Sequence, residues 1–282
     1  MNESEIFIVG ADGQLGTELR AKYPAARFAD KSELDITSKE SVANFDWTGV
    51  QILINAAAYT NVDGAETTEG RVVAWAVNAD AVGNLVAVAA QHSITLVHIS
   101  TDYVFDGTQE QHAEDEAFSP LSVYGASKAA GDLLVSLAPK FYILRTSWVI
   151  GSGKNFVRSI MGLAEKNISP SVVADQYGRL TFTSEIVRAV DLLLEKNAAF
   201  GTYNISNSGD VVSWADIARQ VYASLERTDL TVTNTTAAEY FADKVSAARP
   251  AHSGLDLTKI QRLGFEPKDW RSDLSRYIAE SN

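Results

Sequence analysis

The 282-residue sequence contains no cysteine, which excludes disulfide bonds and thiolate metal sites. Basic residues are scarce, with 24 lysines and arginines against 36 aspartates and glutamates. The resulting net charge of −12 argues against nucleic acid or an anionic membrane as a partner. No apolar stretch approaches the roughly 18 residues of a membrane span, and the acidic start Met1–Glu5 is not typical of a signal peptide. We therefore expect a cytoplasmic protein that holds any bound phosphate locally.

A glycine-rich turn follows the first predicted strand, Ile6–Val9, and leads into a predicted helix over residues 14–22. Gly10, Gly13 and Gly16 recur every third residue, a variant of the dinucleotide fingerprint. The missing side chains let the backbone approach a pyrophosphate at the helix N-terminus, whose dipole favours an anion. The turn therefore predicts a dinucleotide site.

The second strand, Arg27–Ala29, ends at Asp30, where the fingerprint expects an acid for the adenosine ribose hydroxyls. The adjacent Lys31 could tolerate a 2′-phosphate, so the choice between NADH and NADPH stays open. A further buried strand, Gln51–Ala58, ends in small residues. We expect Ala56–Thr60 to border the cofactor or to form a plain close-packed turn.

The apolar run Thr95–Ile99 predicts another buried strand. Thr101 and Asp102 follow at its carboxyl end, where open α/β sheets bind their ligands. Phe141–Ile150 predicts one further strand, and residues 62–91 predict one long helix. Asn78 within that helix is either a site residue or a core amide.

Tyr124 and Lys128 lie one turn apart on a predicted helix over residues 123–137. An ammonium at this spacing favours the phenolate and lowers the pKa of the tyrosine, which makes it a usable acid and base. Tyr240 and Lys244 have the same spacing, but no Ser/Thr-bearing strand end precedes them. We therefore predict that Tyr124 and Lys128 are the functional pair.

Taken together, these motifs resemble those of the dTDP-4-dehydrorhamnose reductases, a family of extended short-chain dehydrogenases/reductases. The matching segments are Gly10-x-x-Gly13-x-x-Gly16, Asn55–Thr60, Ser100–Phe105, Tyr124-Gly-x-x-Lys128, Arg145–Trp148, Lys154–Phe156, Asp175–Gly178 and Arg249-Pro-x-x-Ser253. The resemblance implies reduction of the 4-keto group of dTDP-4-dehydro-L-rhamnose by NADPH or NADH.

The resemblance also implies roles for individual residues. The catalytic set would be Thr101, Tyr124 and Lys128, with Tyr124 as proton donor, Thr101 bonded to the same oxygen and Lys128 holding the nicotinamide ribose. The residues expected to bind the cofactor are Gly10, Gly13, Gln14, Leu15, Asp30, Asp35, Ile36, Ala58, Tyr59, Thr60, Tyr124 and Lys128. Those expected to bind the dTDP-sugar are Thr101, Asp102, Trp148, Asn155 and Arg249.

Two rival functions remain in view. The first is another nucleotide-sugar epimerase or dehydratase of the superfamily; dehydratases have a glutamate where this chain has Tyr103. The second is a non-catalytic NADP-binding regulatory subunit, against which the intact Thr101, Tyr124 and Lys128 set argues.

Some members of this family hold Mg²⁺ between two subunits with three glutamates. This chain keeps only Glu18, because Ser184 and Arg271 stand at the other two positions. A lone carboxylate binds Mg²⁺ weakly, so we expect no metal and a monomer or weak homodimer.

The alternation of strands and helices up to about residue 150 predicts an α/β fold with a Rossmann-type, doubly wound parallel sheet. We place the NAD(P)-binding domain at residues 1–150, completed by 171–205. Residues 206–282, with 151–170, would form a smaller C-terminal substrate-binding lobe.

Overall fold

The computed structural model describes residues 2–29 and 31–281. Its strands are β1 Ile6–Val9, β2 Arg27–Ala29, β3 Ile52–Asn55, β4 Thr95–Thr101, β5 Phe141–Thr146, β6 Val149–Ile150, β7 Ser171–Val173, β8 Tyr177–Gly178, β9 Thr181–Phe182, β10 Gly201–Asn204, β11 Val212–Ser213 and β12 Thr233–Thr235. Its α-helices are α1 Gln14–Lys22, α2 Lys39–Asn44, α3 Thr68–Trp75, α4 Ala81–Gln91, α5 Val123–Val135, α6 Phe156–Glu165, α7 Thr183–Glu195, α8 Trp214–Ser224, α9 Ala237–Phe241, α10 Thr258–Gln261 and α11 Trp270–Ser281.

Six of the strands form one parallel sheet in the order β10-β5-β4-β3-β1-β2. The strand order reverses between β1 and β3, and such a switch point is where open α/β sheets bind ligands. The predicted Rossmann-type parallel sheet is confirmed. The domain boundaries remain a prediction, although β10 extends the sheet from beyond residue 150.

Helices cover both faces of the sheet. Ile6 and Ile8 of β1 pack in one cluster with residues of α1 and α7, whereas Phe7 and Val9 pack in another with residues of α2 and α4. Alternate residues of a strand point to opposite faces, so β1 is buried on both sides. This double burial explains the unbroken apolar run in the sequence.

The helix expected over residues 62–91 begins only at Thr68, and a π-helical turn divides its regular α-helical hydrogen bonding without breaking the helix. A 3₁₀ turn at Gly64–Glu66 precedes α3, and a π-helical turn at Ala76–Asp80 joins α3 to α4. The expectation that no apolar stretch approaches a membrane span is wrong, because the continuous helix Thr68–His92 is long and apolar enough by composition. Half of its most apolar window is buried within the protein, so it is weak evidence for a membrane segment.

The strand expected over 141–150 is also divided. β5 ends at Thr146, and Trp148 takes a left-handed backbone conformation with φ of 47°. Beyond it, β6 leaves the main sheet and pairs with β9. A bulky residue at positive φ is strained, and such strain is found at functional sites.

A third hydrophobic cluster lies beyond the main sheet and unites α6, α8 and α11, with Ile160, Val221 and Trp270 among its buried members. β12, Thr233–Thr235, pairs with β7 outside the main sheet. β10, Gly201–Asn204, lies at the edge of the main sheet.

Candidate active site

The glycine turn after β1 is closed so tightly that only glycine fits. Gly10 has φ of 77°, and a Cβ atom on it would lie 2.4 Å from the backbone nitrogen of Ala57. A Cβ on Gly16 would lie 2.1 Å from the carbonyl oxygen of Gly10. α1 therefore starts directly against the end of β1, and its N-cap residue Gly13 makes no side-chain capping bond. Such a helix start presents unsatisfied N–H groups to an anion.

A first cavity, of about 350 Å³, opens in front of this turn. Its walls include Gly10, Gly13, Asp35, Ile36 and Ala58, together with Lys31. Hydrogen bonds from the hydroxyl and the backbone N–H of Thr37 lower the pKa of Asp35. Asp30, the expected ribose ligand, lies outside the described residues. The cavity fits a nucleotide, since it lies at the N-terminus of a helix and is lined by small apolar residues.

A second cavity, of about 560 Å³, lies at the carboxyl ends of β4 and β5 and shares Gly13, Ala56 and Ala58 with the first. Thr101, Asp102, Tyr124 and Lys128 all line it, and so do Gln14, Leu15, Thr60 and Trp148. The structure thus brings the predicted catalytic residues together from β4 and α5.

The start of α5 fixes the position of Tyr124. Ser122 caps the helix by accepting a hydrogen bond from the backbone N–H of Gly125. A Cβ on Gly125 would lie 2.2 Å from the carbonyl oxygen of Tyr103, so α5 can pack this closely against residues 102–104 only with glycine there. The rings of Tyr103 and Tyr124 meet edge to face with centroids 5.5 Å apart.

The predicted lowering of the Tyr124 pKa is wrong for this structure. Burial raises the pKa of Tyr124, the charges of Asp102 and Asp132 raise it further, and only the influence of the Thr101 hydroxyl opposes them. Lys128 is itself 2% exposed, and its ammonium donates to the carbonyl oxygen of Ile99 at 2.7 Å. Burial lowers the pKa of Lys128 to about 8, against the opposing effect of Asp132.

Sequence reasoning missed a buried polar network beneath Lys128. Asn55 accepts a hydrogen bond from the N–H of Ala57, so its amide nitrogen donates to Nδ1 of His98 at 3.0 Å. His98 therefore keeps its hydrogen on Nε2, which lies 3.4 Å from Nζ of Lys128 and 3.9 Å from Asp132. Burial lowers the pKa of His98 well below its ordinary value, so the imidazole is neutral.

Asp132 ties this network to β5. Its carboxylate pairs with the guanidinium of Arg145 at 3.1 Å, and both side chains are almost fully buried. Burial raises the pKa of Asp132, while the charge of Arg145 acts to lower it. The only sequence signal for this pair was Arg145 in the Arg-Thr-Ser-Trp motif. The contact with Asp132 depends on how α5 packs against β5, which local sequence does not show.

Two tryptophans form a wall of the second cavity. Trp148 stacks on Trp214 with ring centroids 3.6 Å apart, and a Cβ on Gly178 would lie 2.7 Å from the Trp148 ring. Trp214 opens α8, and no local signal in the sequence marks it as a site residue. Both rings also face a third cavity, of about 410 Å³.

This third cavity contains Arg249 and Ser253 of the Arg-Pro loop, and also Tyr240 and Phe241. Arg249 donates to both carboxylate oxygens of Asp63 at 2.8 Å and lies over the Phe241 ring. Tyr240 does not line the cavity that contains Thr101; the ammonium of Lys244 lies over its ring, 3.6 Å from the centroid.

Two expected site residues do not line these cavities. Asn155 caps α6, and its amide group donates to Gly151 and to the hydroxyl of Tyr277. Tyr59 is held through its backbone by Asn78. Asn78 is fully bonded and 1% exposed, so it is a core amide.

The residues at or next to the positions of the metal-binding glutamates form other contacts in this structure. The carboxylate of Glu18 lies 3.5 Å from the hydroxyl of Thr183. Glu185 is buried and paired with Arg188, and Arg271 is paired with Asp210. Within residues 2–29 and 31–281 no three His, Cys, Asp or Glu side chains are grouped to hold a metal ion. Independence from metal remains a prediction.

A glycine turn follows the first strand of a parallel sheet, and a threonine, a tyrosine and a lysine face it across one cavity. These features define a Rossmann-type reductase of the short-chain dehydrogenase class. Residues 4–282 match the family model described as the RmlD substrate binding domain. The chain is 39% identical over 298 residues to the dTDP-4-dehydrorhamnose reductase of Aggregatibacter actinomycetemcomitans, an alignment that covers 98% of this chain and 99% of that one. The chain belongs to the dTDP-4-dehydrorhamnose reductase family, which confirms the resemblance.

Solved structures agree. The crystal structure of a dTDP-4-dehydrorhamnose reductase from Clostridium acetobutylicum superposes with a TM-score of 0.90 at 33% identity and covers 98% of this chain and 99% of its own. That of the Bacillus anthracis reductase in complex with NADP gives a TM-score of 0.89 at 33% identity, with 98% of each chain covered.

Proposed function

We propose that this protein reduces the 4-keto group of dTDP-4-dehydro-L-rhamnose to give dTDP-L-rhamnose, the last step of dTDP-rhamnose synthesis. The observation that carries the proposal is that Thr101, Tyr124 and Lys128 line one cavity, which shares walls with a nucleotide-type cavity on one side and an aromatic cavity on the other. Family membership supports the same reaction.

NAD(P)H, when bound, supplies the hydride. The start of α1 fits its pyrophosphate, because Gly10 and Gly13 line the first cavity and the N-cap residue Gly13 makes no capping bond with a side chain. Asp35, Ile36 and Ala58 would border the adenosine end, and Gln14, Leu15 and Thr60 the nicotinamide end. Lys31 lines the adenosine cavity and suits the 2′-phosphate of NADPH.

Tyr124 would give its proton to the oxygen on which negative charge develops. A pKa raised by burial keeps the phenol protonated at neutral pH, which suits a donor. Thr101 would bond to the same oxygen, and such a bond strengthens as charge grows on that oxygen. Lys128 would hold the nicotinamide ribose from the cavity floor.

The sugar would lie in the second cavity against Trp148, with Asp102 at the same wall, and the nucleotide would extend into the third cavity beside Arg249. The support is that Trp148 faces both cavities and that aromatic rings line the third. Asn155 has less support, because its amide is committed to α6 and Tyr277.

We further propose the two-part division described above, with residues 1–150 and 171–205 binding the cofactor. The enzyme would act in the cytoplasm as a monomer or weak homodimer, without nucleic acid or membrane partners. The net charge of −12 supports the absence of an anionic partner surface.

The test follows NAD(P)H absorbance with dTDP-4-dehydrorhamnose generated in situ. Tyr124→Phe should lower kcat by about 10²–10⁴-fold, since that is what a positioned general acid contributes. Tyr142→Phe is the control: its buried hydroxyl donates to the carbonyl oxygen of Ala198 and the residue lines none of the three cavities, so kcat should hold while stability falls by about 1 kcal/mol. A wild-type protein inactive on this sugar would refute the proposal.

A further inference from the structure

The hydroxyl group of Thr101 has more neighbours than it can serve with one hydrogen. The backbone N–H of Tyr103 donates to Thr101 Oγ1 at 3.2 Å, and Oδ1 of Asp102 lies 3.0 Å from the same oxygen. The hydroxyl of Tyr124 lines the same cavity. A threonine hydroxyl offers one hydrogen and two lone pairs, and the Tyr103 N–H already occupies one lone pair.

The protonation of Asp102 decides where the remaining hydrogen points. If Asp102 is a carboxylate, it can only accept, so the hydrogen of Thr101 is spent on it. Thr101 then has nothing to donate to a reacting oxygen or to the Tyr124 phenolate. If Asp102 carries a proton on Oδ1, it donates to the second lone pair of Thr101, and the threonine hydrogen is free.

The surroundings of Asp102 disfavour its ionised form. The residue is 2% exposed, and its Oδ2 has no hydrogen-bond partner among the residues that the structure describes. An ionised oxygen left buried and unpartnered is costly. Burial raises the pKa of Asp102 to about 6, and the influence of the Ser253 and Thr101 hydroxyls and of His112 only partly offsets it. The Ser253 hydroxyl lies near the carboxyl group but makes no hydrogen bond of normal geometry to Oδ2.

The other titratable groups around Asp102 belong to three segments. His112 faces it from the loop after β4, with its own Nδ1 2.9 Å from the carboxylate of Glu116. The phenols of Tyr103 and Tyr124 face it from the 102–104 turn and from α5. Neither phenol is a cation at any pH, so His112 is the one group among these that could stabilise the carboxylate.

We propose that Asp102 is a positioning residue that works in its neutral form, donating its carboxyl hydrogen to Thr101 so that the Thr101 hydroxyl can donate to the oxygen being reduced. This inference rests on the proposed function, because it concerns the same reacting oxygen. It reverses the usual reading of an aspartate beside a sugar, in which an ionised carboxylate accepts hydrogen bonds.

The consequence is a falling alkaline limb in the pH profile of kcat. A group with a raised pKa is neutral below that pKa, so activity should be full at low pH and fall about tenfold per unit once Asp102 ionises. Anionic cofactor and substrate nearby would move this limb above pH 6, because like charges disfavour ionisation.

The test compares the profiles of wild type and Asp102→Asn. An asparagine amide donates to Thr101 at every pH, so the falling limb should disappear and kcat at alkaline pH should exceed that of wild type by about tenfold or more. A limb that persists in Asp102→Asn, or a wild-type kcat that rises across this range, would overturn the proposal.

A second arm separates positioning from general damage. In a Thr101→Val background, Asp102→Asn should leave the shape of the alkaline pH profile of kcat unchanged, since no hydroxyl remains to be directed. An equal effect in both backgrounds would contradict the coupling. Thr101→Ser should keep the wild-type limb.

A third arm needs no activity. The ¹³C carboxyl resonance of Asp102, assigned by its loss in Asp102→Asn, should titrate at least about one unit above the ordinary aspartate value of about 3.9. Titration at or below that value would overturn the inference even if the variants fold poorly. If wild type reduces no dTDP-4-dehydrorhamnose at any pH while the resonance behaves as expected, the proposed function fails and the assignment of the Asp102 proton stands.

Discussion

Gly125→Ala tests how closely the catalytic helix is seated. The added Cβ would lie 2.2 Å from the carbonyl oxygen of Tyr103 and 3.2 Å from Pro120, whereas ordinary contact begins at 3.4 Å. The clash with Tyr103 is with backbone, so no flexible side chain can turn away. α5 must therefore move from the 102–104 turn by more than 1 Å, and Tyr124, the residue before Gly125, must move with it.

The expected cost has two parts. Overpacking of this kind destabilises by about 1–3 kcal/mol, which urea unfolding would measure. Misplacing a catalytic group by about 1 Å costs about 10²-fold in rate, so kcat should fall by that order. The drop should appear in the kcat of the folded fraction, because Thr101 stays in place on β4 while Tyr124 moves away from it with α5.

The matched control is Gly162→Ala in α6. No atom lies within 4 Å of the position of its added Cβ. Alanine is the better helix former, so stability should rise by roughly 0.5–1 kcal/mol with kcat unchanged. If Gly125→Ala kept kcat within about twofold of wild type, the contact between α5 and Tyr103 would not hold Tyr124 in place.

Two further predictions concern charge. Lys128→Met should weaken NAD(P)H binding in a fluorescence titration. The pKa of Lys128 is lowered from 10.5 to about 8 in the folded protein, so between these pH values the unfolded state binds more protons than the folded state. The stability of wild type should therefore rise by about 1 kcal/mol per pH unit from pH 8 to 10 relative to the variant. EDTA should leave turnover and sedimentation unchanged, since Glu18 alone offers Mg²⁺ too few oxygens, and a loss of activity restored by Mg²⁺ would contradict this.

The sequence was sufficient for features that depend on a few consecutive residues. The glycine turn and the strand before it follow from the spacing of Gly10, Gly13 and Gly16, because a turn is set by local backbone freedom. Tyr124 and Lys128 share a helix face because residues four apart in sequence lie one turn apart in an α-helix. The approach of Thr101 to Tyr124 could be anticipated because strand ends and the helix that follows meet at one edge of a parallel sheet.

The residues that sequence analysis missed depend on packing between distant segments. Trp214, the first residue of α8, stacks on Trp148, which takes a positive φ between β5 and β6. His98 looked like an ordinary member of a buried strand, and only the fold places it between Asn55 and Lys128. Hydrophobic periodicity contains no information on either contact.

The wrong sign for the Tyr124 pKa has a physical origin that connects the site's titratable groups. An argument from the spacing of Tyr124 and Lys128 alone treats both side chains as if they were in water, where the charge of Lys128 would dominate the pKa of Tyr124. In the folded protein, burial changes the pKa of every group in the site. It raises the pKa of Tyr124 and of Asp102, and it lowers that of Lys128. Each shift favours the uncharged form. Two anionic ligands are to share this site in a chain of net charge −12, so a carboxylate or a phenolate formed early would repel them. Burial thus favours the protonated form of both acids, so the phenol of Tyr124 still has a proton to donate when the reacting oxygen gains negative charge.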